Sequence, residues 1–114
     1  MKSIMLTVQA SKIEIKNVLV ADTFLTKAQG LIGKAQLSSN EGMLIKQCCS
    51  IHTFGMTYAI DVIFLNSNGQ IIRVVENLKP LRFARCGKAC MVLELRAGSI
   101  NKLHTKPGDI LYGY

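Results

Sequence analysis

The sequence predicts a mainly β fold, α+β by strict count: a small, barrel-like antiparallel sheet of about seven strands with two short helices. Three observations carry this. Apolar, β-branched runs too short for core helices recur along the chain. Turn-forming residues separate them at short intervals, the pattern of a closed or half-closed barrel. Two of the runs flank Asn66-Ser67-Asn68-Gly69, a hairpin signal in which Asn68-Gly69 supplies positive φ. A two-layer α+β sheet is the alternative.

In chain order, "IMLTV" opens as a strand. "KIEIKNVLVADTF" follows, with Ile13 and Ile15, then Val18 and Val20, alternating with polar positions and a break expected near Asn17. In "TKAQGLIGKAQL", Thr26 caps an expected short helix from Lys27 to Leu31, ended by Gly30 or Gly33. "SSNEG" is turn material and "GMLIKQ" a short strand. Residues 59–78 form the hairpin. "KPLRFARCGKA" is read as an irregular basic segment. "CMVLELRAG" is a strand with Met91, Leu93 and Leu95 on one face. A second short helix is expected around Ser99 to Leu103. Pro107-Gly108-Asp109 makes a turn, and "ILYGY" returns as a last strand.

The 114 residues suit one domain, 1–114. With 49% apolar and 18% charged residues the chain is too apolar for disorder. No run reaches the roughly 18 apolar residues of a membrane span, and charges interrupt the opening apolar patch before a signal-peptide core forms. A cytoplasmic location is expected, with Cys48, Cys49, Cys86 and Cys90 as thiols or metal ligands instead of a disulfide framework. The net charge of +7 favours anionic partners. Few aromatics, no Trp and no helix-turn-helix or RNP-like motif argue against specific nucleic-acid binding.

Three chemistries compete. Cys48-x3-His52 and Cys86-x3-Cys90 offer two ligand pairs for a structural zinc, with Cys49 as an alternate. If a strand begins as early as Cys86, however, that second pair stands too far apart to share an ion. Cys48 or Cys86 with His52 would be a nucleophile and base, and Lys79, Arg82, Arg85 and Lys88 surround Cys86 with cations. The competing reading is that the cysteines only pack. Asp61 and Glu94 interrupt apolar strands, where a charge is costly unless paired. Either they satisfy structural donors, or they line a cleft with His52. Asp109 reads as a turn-former, His104 as an exposed loop residue, and Met56 and Tyr58 as core or rim. The glycines of "QGLIGK" lack nucleotide-binding spacing and read as helix-packing and termination positions.

Four segments resemble a known family in the right order. "QGLIGK" (29–34) is similar to its Arg-Gly-Leu-Met-Gly-Arg motif, and "EGMLI" (41–45) to its Gly-Met-Leu-Phe. "AIDVIFLNSNGQII" (59–72) resembles its Pro-Leu-Asp-Ile-Ile-Phe-Leu-Asp hairpin. "VLELRAGSINKLHTKPGDIL" (92–111) resembles its Val-Leu-Glu-Leu-x-Ala-Gly to Gly-Asp ending. This is domain-of-unknown-function family number 192. Many members carry an export leader or lipid anchor and a Phe-Trp-Met-Lys-Asn-Thr motif. Here "IHTFGMTYAID" stands in its place, which looks like a leaderless branch with a Cys-x-x-Val-His-Thr type motif, matched by Cys48 and His52, with Cys86 further along. Some members of that branch lie beside pilus-assembly genes, so the resemblance hints at a role in pilus or envelope assembly. It supplies no activity.

The preferred reading is a non-enzymatic binding or accessory module without a cofactor. Its expected site is a cleft lined by His52, Thr53, Met56, Asp61, Arg82, Cys86 and Glu94, whose basic rim at 79–88 faces a small anionic ligand or an acidic protein segment. A cysteine-dependent hydrolase or transferase using Cys48, His52 and Cys86 is the runner-up. A structural zinc domain using Cys48, His52, Cys86 and Cys90 is third.

Overall fold

A computed structural model describes residues 2–22 and 36–113. The expected first helix and the "QGLIGK" motif lie outside the described residues. Among the described residues nine strands form: β1 (Lys2–Val8), β2 (Glu14–Ala21), β3 (Glu41–Lys46), β4 (Ser50–His52), β5 (Ile60–Leu65), β6 (Ile71–Leu78), β7 (Phe83–Arg85), β8 (Met91–Arg96) and β9 (Leu111–Tyr112), with a helix, α1 (Ser99–Lys102), between the last two. Seven strands make one sheet in the order β6-β5-β8-β3-β2-β1-β9, and β4 pairs with β7 as a separate ribbon. All pairs in the large sheet are antiparallel except β2–β3.

The sheet curls. An isolated bridge joins Gln70 to Ile110, the Ile71 N–H donates to the Asp109 carbonyl at 2.8 Å, and the Leu111 N–H donates to the Gly69 carbonyl at 2.9 Å. These bonds stitch one edge strand to the other, which removes part of the open edge that an isolated sheet would expose. The result is a curled half-barrel. The break expected near Asn17 is a bulge: Ile4 pairs with Val18 and Leu6 with Ile15, so Lys16 and Asn17 stand opposite Met5 alone.

The hairpin at 59–78 forms as β5–β6. Its turn is built by Asn66, whose side-chain oxygen accepts the N–H of Asn68 at 2.9 Å and of Gln70 at 3.0 Å. Gly69 alone supplies the positive φ, at 79°.

Two apolar clusters follow from strand alternation. The face inside the curl carries Leu6, Val8, Ile15, Val18, Leu44, Ile63, Leu65, Leu93 and Leu95, joined by Ile100 and Leu103 from the α1 end. The other face carries Met43, Ile45, Ile60, Val62, Phe64 and Val92. Ile51, Met56, Ala84 and Ala89 cover it, two of them from the ribbon. Strand β5 is consequently buried along its whole length.

The segment read as irregular and basic contains β7. Arg73 of β6 ties it to the large sheet: its Nη1 donates to the Arg85 carbonyl at 2.6 Å, and its guanidinium lies 5.9 Å from the Phe64 ring centroid.

Candidate functional site

The expected site residues fall into three places. Asp61 lies on β5 opposite Leu95 and points with it into the curl. One carboxylate oxygen accepts the Asn77 N–H at 2.9 Å. The other accepts the N–H groups of Gly98 at 3.1 Å and Ile100 at 2.9 Å. Helix α1 has no side-chain cap of its own, since Gly98 stands at its N-cap. Asp61 therefore caps it from a neighbouring strand and satisfies donors that a helix start leaves open.

Glu94 is on the other face. It pairs with Met43 on β3 and with Val62 on β5, both in the second cluster. It is 3% exposed, and among the described residues its Oε1 has no hydrogen-bond partner. Burial pushes its carboxyl up to about 7. Tyr58 lies near enough that its hydroxyl is raised, first by burial and then by the Glu94 charge. Asp61 and Glu94 thus stand on opposite faces of one sheet and do not share a cleft. Met56 is buried on the Glu94 side, with Cys86 packed against the same cluster.

His52, Thr53 and Arg82 belong to the ribbon. Register sets their directions: Ile51 opposite Ala84 turns inward, and His52 opposite Phe83 turns outward. Thr53 is fully buried and works as a clasp. Its hydroxyl donates to the Lys79 carbonyl at 2.6 Å and accepts the Arg82 N–H at 2.9 Å, and its own N–H donates to the Arg82 carbonyl at 2.9 Å. The clasp holds Leu81 at φ 62°, a left-handed backbone that a branched apolar residue adopts only under constraint.

In that conformation Leu81 is 69% exposed, beside Phe83 at 62% and Phe54 at 50%. The His52 ring stacks on Phe54 with centroids 5.0 Å apart, and its Nδ1 accepts the Phe54 N–H at 3.3 Å. Arg82 and Arg85 are exposed around them, and residues 46–60 and 79–90 contain no acidic residue. Sequence reasoning named His52 and Arg82 here but passed over Phe54, Leu81 and Phe83. The available signal was the alternation of Leu81, Phe83 and Arg85 with the smaller Ala84 and Cys86.

The cysteines gather at the far end of the ribbon. The Cys48 N–H donates to the Cys90 carbonyl at 3.1 Å, and the Cys86 N–H to the Cys49 carbonyl at 2.9 Å. Cys48, Cys49 and Cys90, with Gln47 and Ala89, line an open depression of about 320 Å³. The Cys48 thiol donates to the Ser50 carbonyl at 3.0 Å. Cys86 and Cys90 flank a turn closed by the Ala89 N–H on the Cys86 carbonyl, not a strand. Among the described residues no group of three or more His, Cys, Asp and Glu side chains is arranged to hold a metal ion. Cys86 faces the second cluster while His52 faces outward, so these two are not brought together as a nucleophile and base.

The profile of family DUF192, described as an uncharacterized ACR, matches residues 5–112. A UPF0127 protein from Thermococcus sibiricus (strain DSM 12597 / MM 739) is 30% identical across 86% of this chain, and the chain spans 66% of that relative's length. Among solved structures, a candidate transcription regulator from Sinorhizobium meliloti 1021 superposes with a TM-score of 0.85 at 26% identity, covering 97% of this chain and 92% of that one. A protein of unknown function from Novosphingobium aromaticivorans DSM 12444 gives 0.83 at 21% identity, covering 96% and 83%. A candidate exported protein from Burkholderia pseudomallei K96243 gives 0.53 at 16% identity, with 98% of this chain on 24% of that one. No helix among the described residues is long and apolar enough to cross a membrane.

Proposed function

This chain belongs to family DUF192, and we propose that it acts as a non-enzymatic binding module whose contact surface is the outward face of the β4–β7 ribbon. The partner is an acidic protein segment that also carries apolar side chains. The observation that carries the reading is Leu81, an exposed leucine held at positive φ by a buried threonine clasp. Strained backbone of this kind costs about 1–3 kcal/mol and persists only where surrounding structure over-determines it. Phe54, Phe83 and the His52 ring extend the apolar surface. Lys79, Arg82 and Arg85 rim it without an acid in either segment, and this favours an anionic partner. The leucine anchor suits an apolar side chain, and stacking of a base on the two phenyl rings is the competing outcome that the oligomer below probes. Of the cleft expected from sequence, His52 and Arg82 serve the surface and Thr53 holds it. Asp61 and Glu94 have no part in it. The role in pilus or envelope assembly hinted at by the branch resemblance is one setting in which such a segment would be met.

The test is an amide NMR titration of the isotope-labelled chain with a short peptide of alternating Glu with Leu and Phe. A single-stranded DNA oligomer serves as the second probe. The expected peptide shifts cluster at 52–54 and 79–85, and the oligomer gives none there. Shifts spread over every basic surface, or a ribbon that responds only to the oligomer, would refute the reading.

A further inference from the structure

Register brings one pair of thiols together. The β4–β7 ladder ends on the rung of Ser50 and Arg85, and the residues just beyond it are Cys49 and Cys86. The Cys86 N–H donates to the Cys49 carbonyl at 2.9 Å, the bond that closes the Ser50–Arg85 rung and holds the two cysteines side by side at the end of the ladder. Ile51 and Ala84, one hydrogen-bonded rung away, face the second cluster, and both Cys49 and Cys86 pack against the same cluster. The two side chains therefore leave the ribbon on one side. Cα atoms of such a pair stand about 5.5 Å apart, within the range that a disulfide spans. Both are free thiols and both are partly exposed. Cys49 also lines the open depression of about 320 Å³.

We infer that Cys49 and Cys86 form a redox-convertible pair, with a small disulfide of the glutathione class as oxidant. The Cys49 thiolate attacks one sulfur of the oxidant and forms a mixed disulfide, and the oxidant's other half leaves as a thiolate. The Cys86 thiolate then attacks the Cys49 sulfur, the Cys49–Cys86 bond forms, and the second half of the oxidant leaves. The protein gives up two electrons and two thiol protons, and the oxidant is reduced to two thiols. The bond would join β4 to β7 behind the face that carries His52 and Phe83. Its effect on partner binding rests on the proposed function; its formation does not.

The experiment incubates the purified chain in glutathione buffers of graded redox poise. It then quenches with acid, alkylates the remaining thiols and maps the peptides. The expected result is the loss of two alkylatable thiols, a Cys49–Cys86 linked peptide that dithiothreitol reverses, and slowed amide exchange at Ile51 and Ala84 in the oxidised form. Cys86→Ser should leave glutathione attached to Cys49. Four thiols alkylated at every poise, a glutathione adduct at Cys49 in the wild type that never resolves, or Cys48 linked to Cys90 instead would each overturn the inference. The wild-type map decides the question if the variant fails to fold. Because no partner is present, failure here leaves the ribbon surface untouched, and failure of that surface leaves the thiol pair standing.

Discussion

The curled sheet and the β4–β7 ribbon handle apolar surface in opposite ways. The sheet buries both faces of its central strands and even encloses two carboxylates. The ribbon buries only its inward rungs and holds Phe83, with Leu81 and Phe54 beside it, in water. A stability argument accounts for the first arrangement. It does not account for the second, because exposed leucine and phenylalanine gain nothing from folding. The difference separates residues kept for the fold from residues displayed for contact. Within the sheet, the two carboxylates sharpen the same lesson: Asp61 accepts three backbone N–H groups, while Glu94 Oε1 has no partner among the described residues.

The largest break in the comparison is Asp61→Ala. It removes the charged acceptor of three backbone N–H groups, that of buried Ile100 among them, and with it the cap of α1, and should cost about 4 kcal/mol in urea unfolding. A loss below about 1 kcal/mol would mean other acceptors reach those donors.

Glu94→Gln should act in the opposite direction. Burial raises the Glu94 carboxyl from 4.5 to about 7. The folded state therefore keeps a proton that the unfolded state has lost. Stability from this group is full below about 4.5, falls as pH rises, and is lost once pH passes about 7. The glutamine variant should be more stable than wild type by about 3 kcal/mol at pH 8 and nearly equal to it at pH 4. Denaturation at the two pH values checks the sign; a destabilised variant at pH 8 would reveal a partner for the ionised carboxylate.

Thr53→Val removes the clasp at nearly constant volume. A cost of about 1–2 kcal/mol is expected, with the NMR signals of Leu81 shifted toward an ordinary backbone. If Leu81 keeps its positive φ, the clasp is not what imposes it. Phe83→Ala should be nearly silent in stability, within about 0.5 kcal/mol, while weakening the peptide interaction. A large stability loss would return Phe83 to the core.

Much of the sheet was legible. β-Branched runs on either side of Asn66–Gly69 locate the hairpin, and period-two spacing locates the face shared by Met91, Leu93 and Leu95, because these strands span six to eight residues. The ribbon was not legible: strands of three residues carry less than two periods, so β7 reads as irregular. Alternation places Asp61 and Glu94 within their own strands but says nothing about which rung faces which. Only the Asp61–Leu95 register shows them on opposite faces. His52 and Cys86 were separated by the same kind of fact, the rung parity of a ladder that local sequence does not announce.

The ribbon surface is tested most directly by the affinity of the Glu/Leu/Phe peptide for wild type and for a Leu81→Ser/Phe83→Ser double variant, with urea midpoints measured alongside. The account predicts binding weaker by on the order of tenfold or more in the variant at an unchanged midpoint. Equal affinity at equal stability would contradict it.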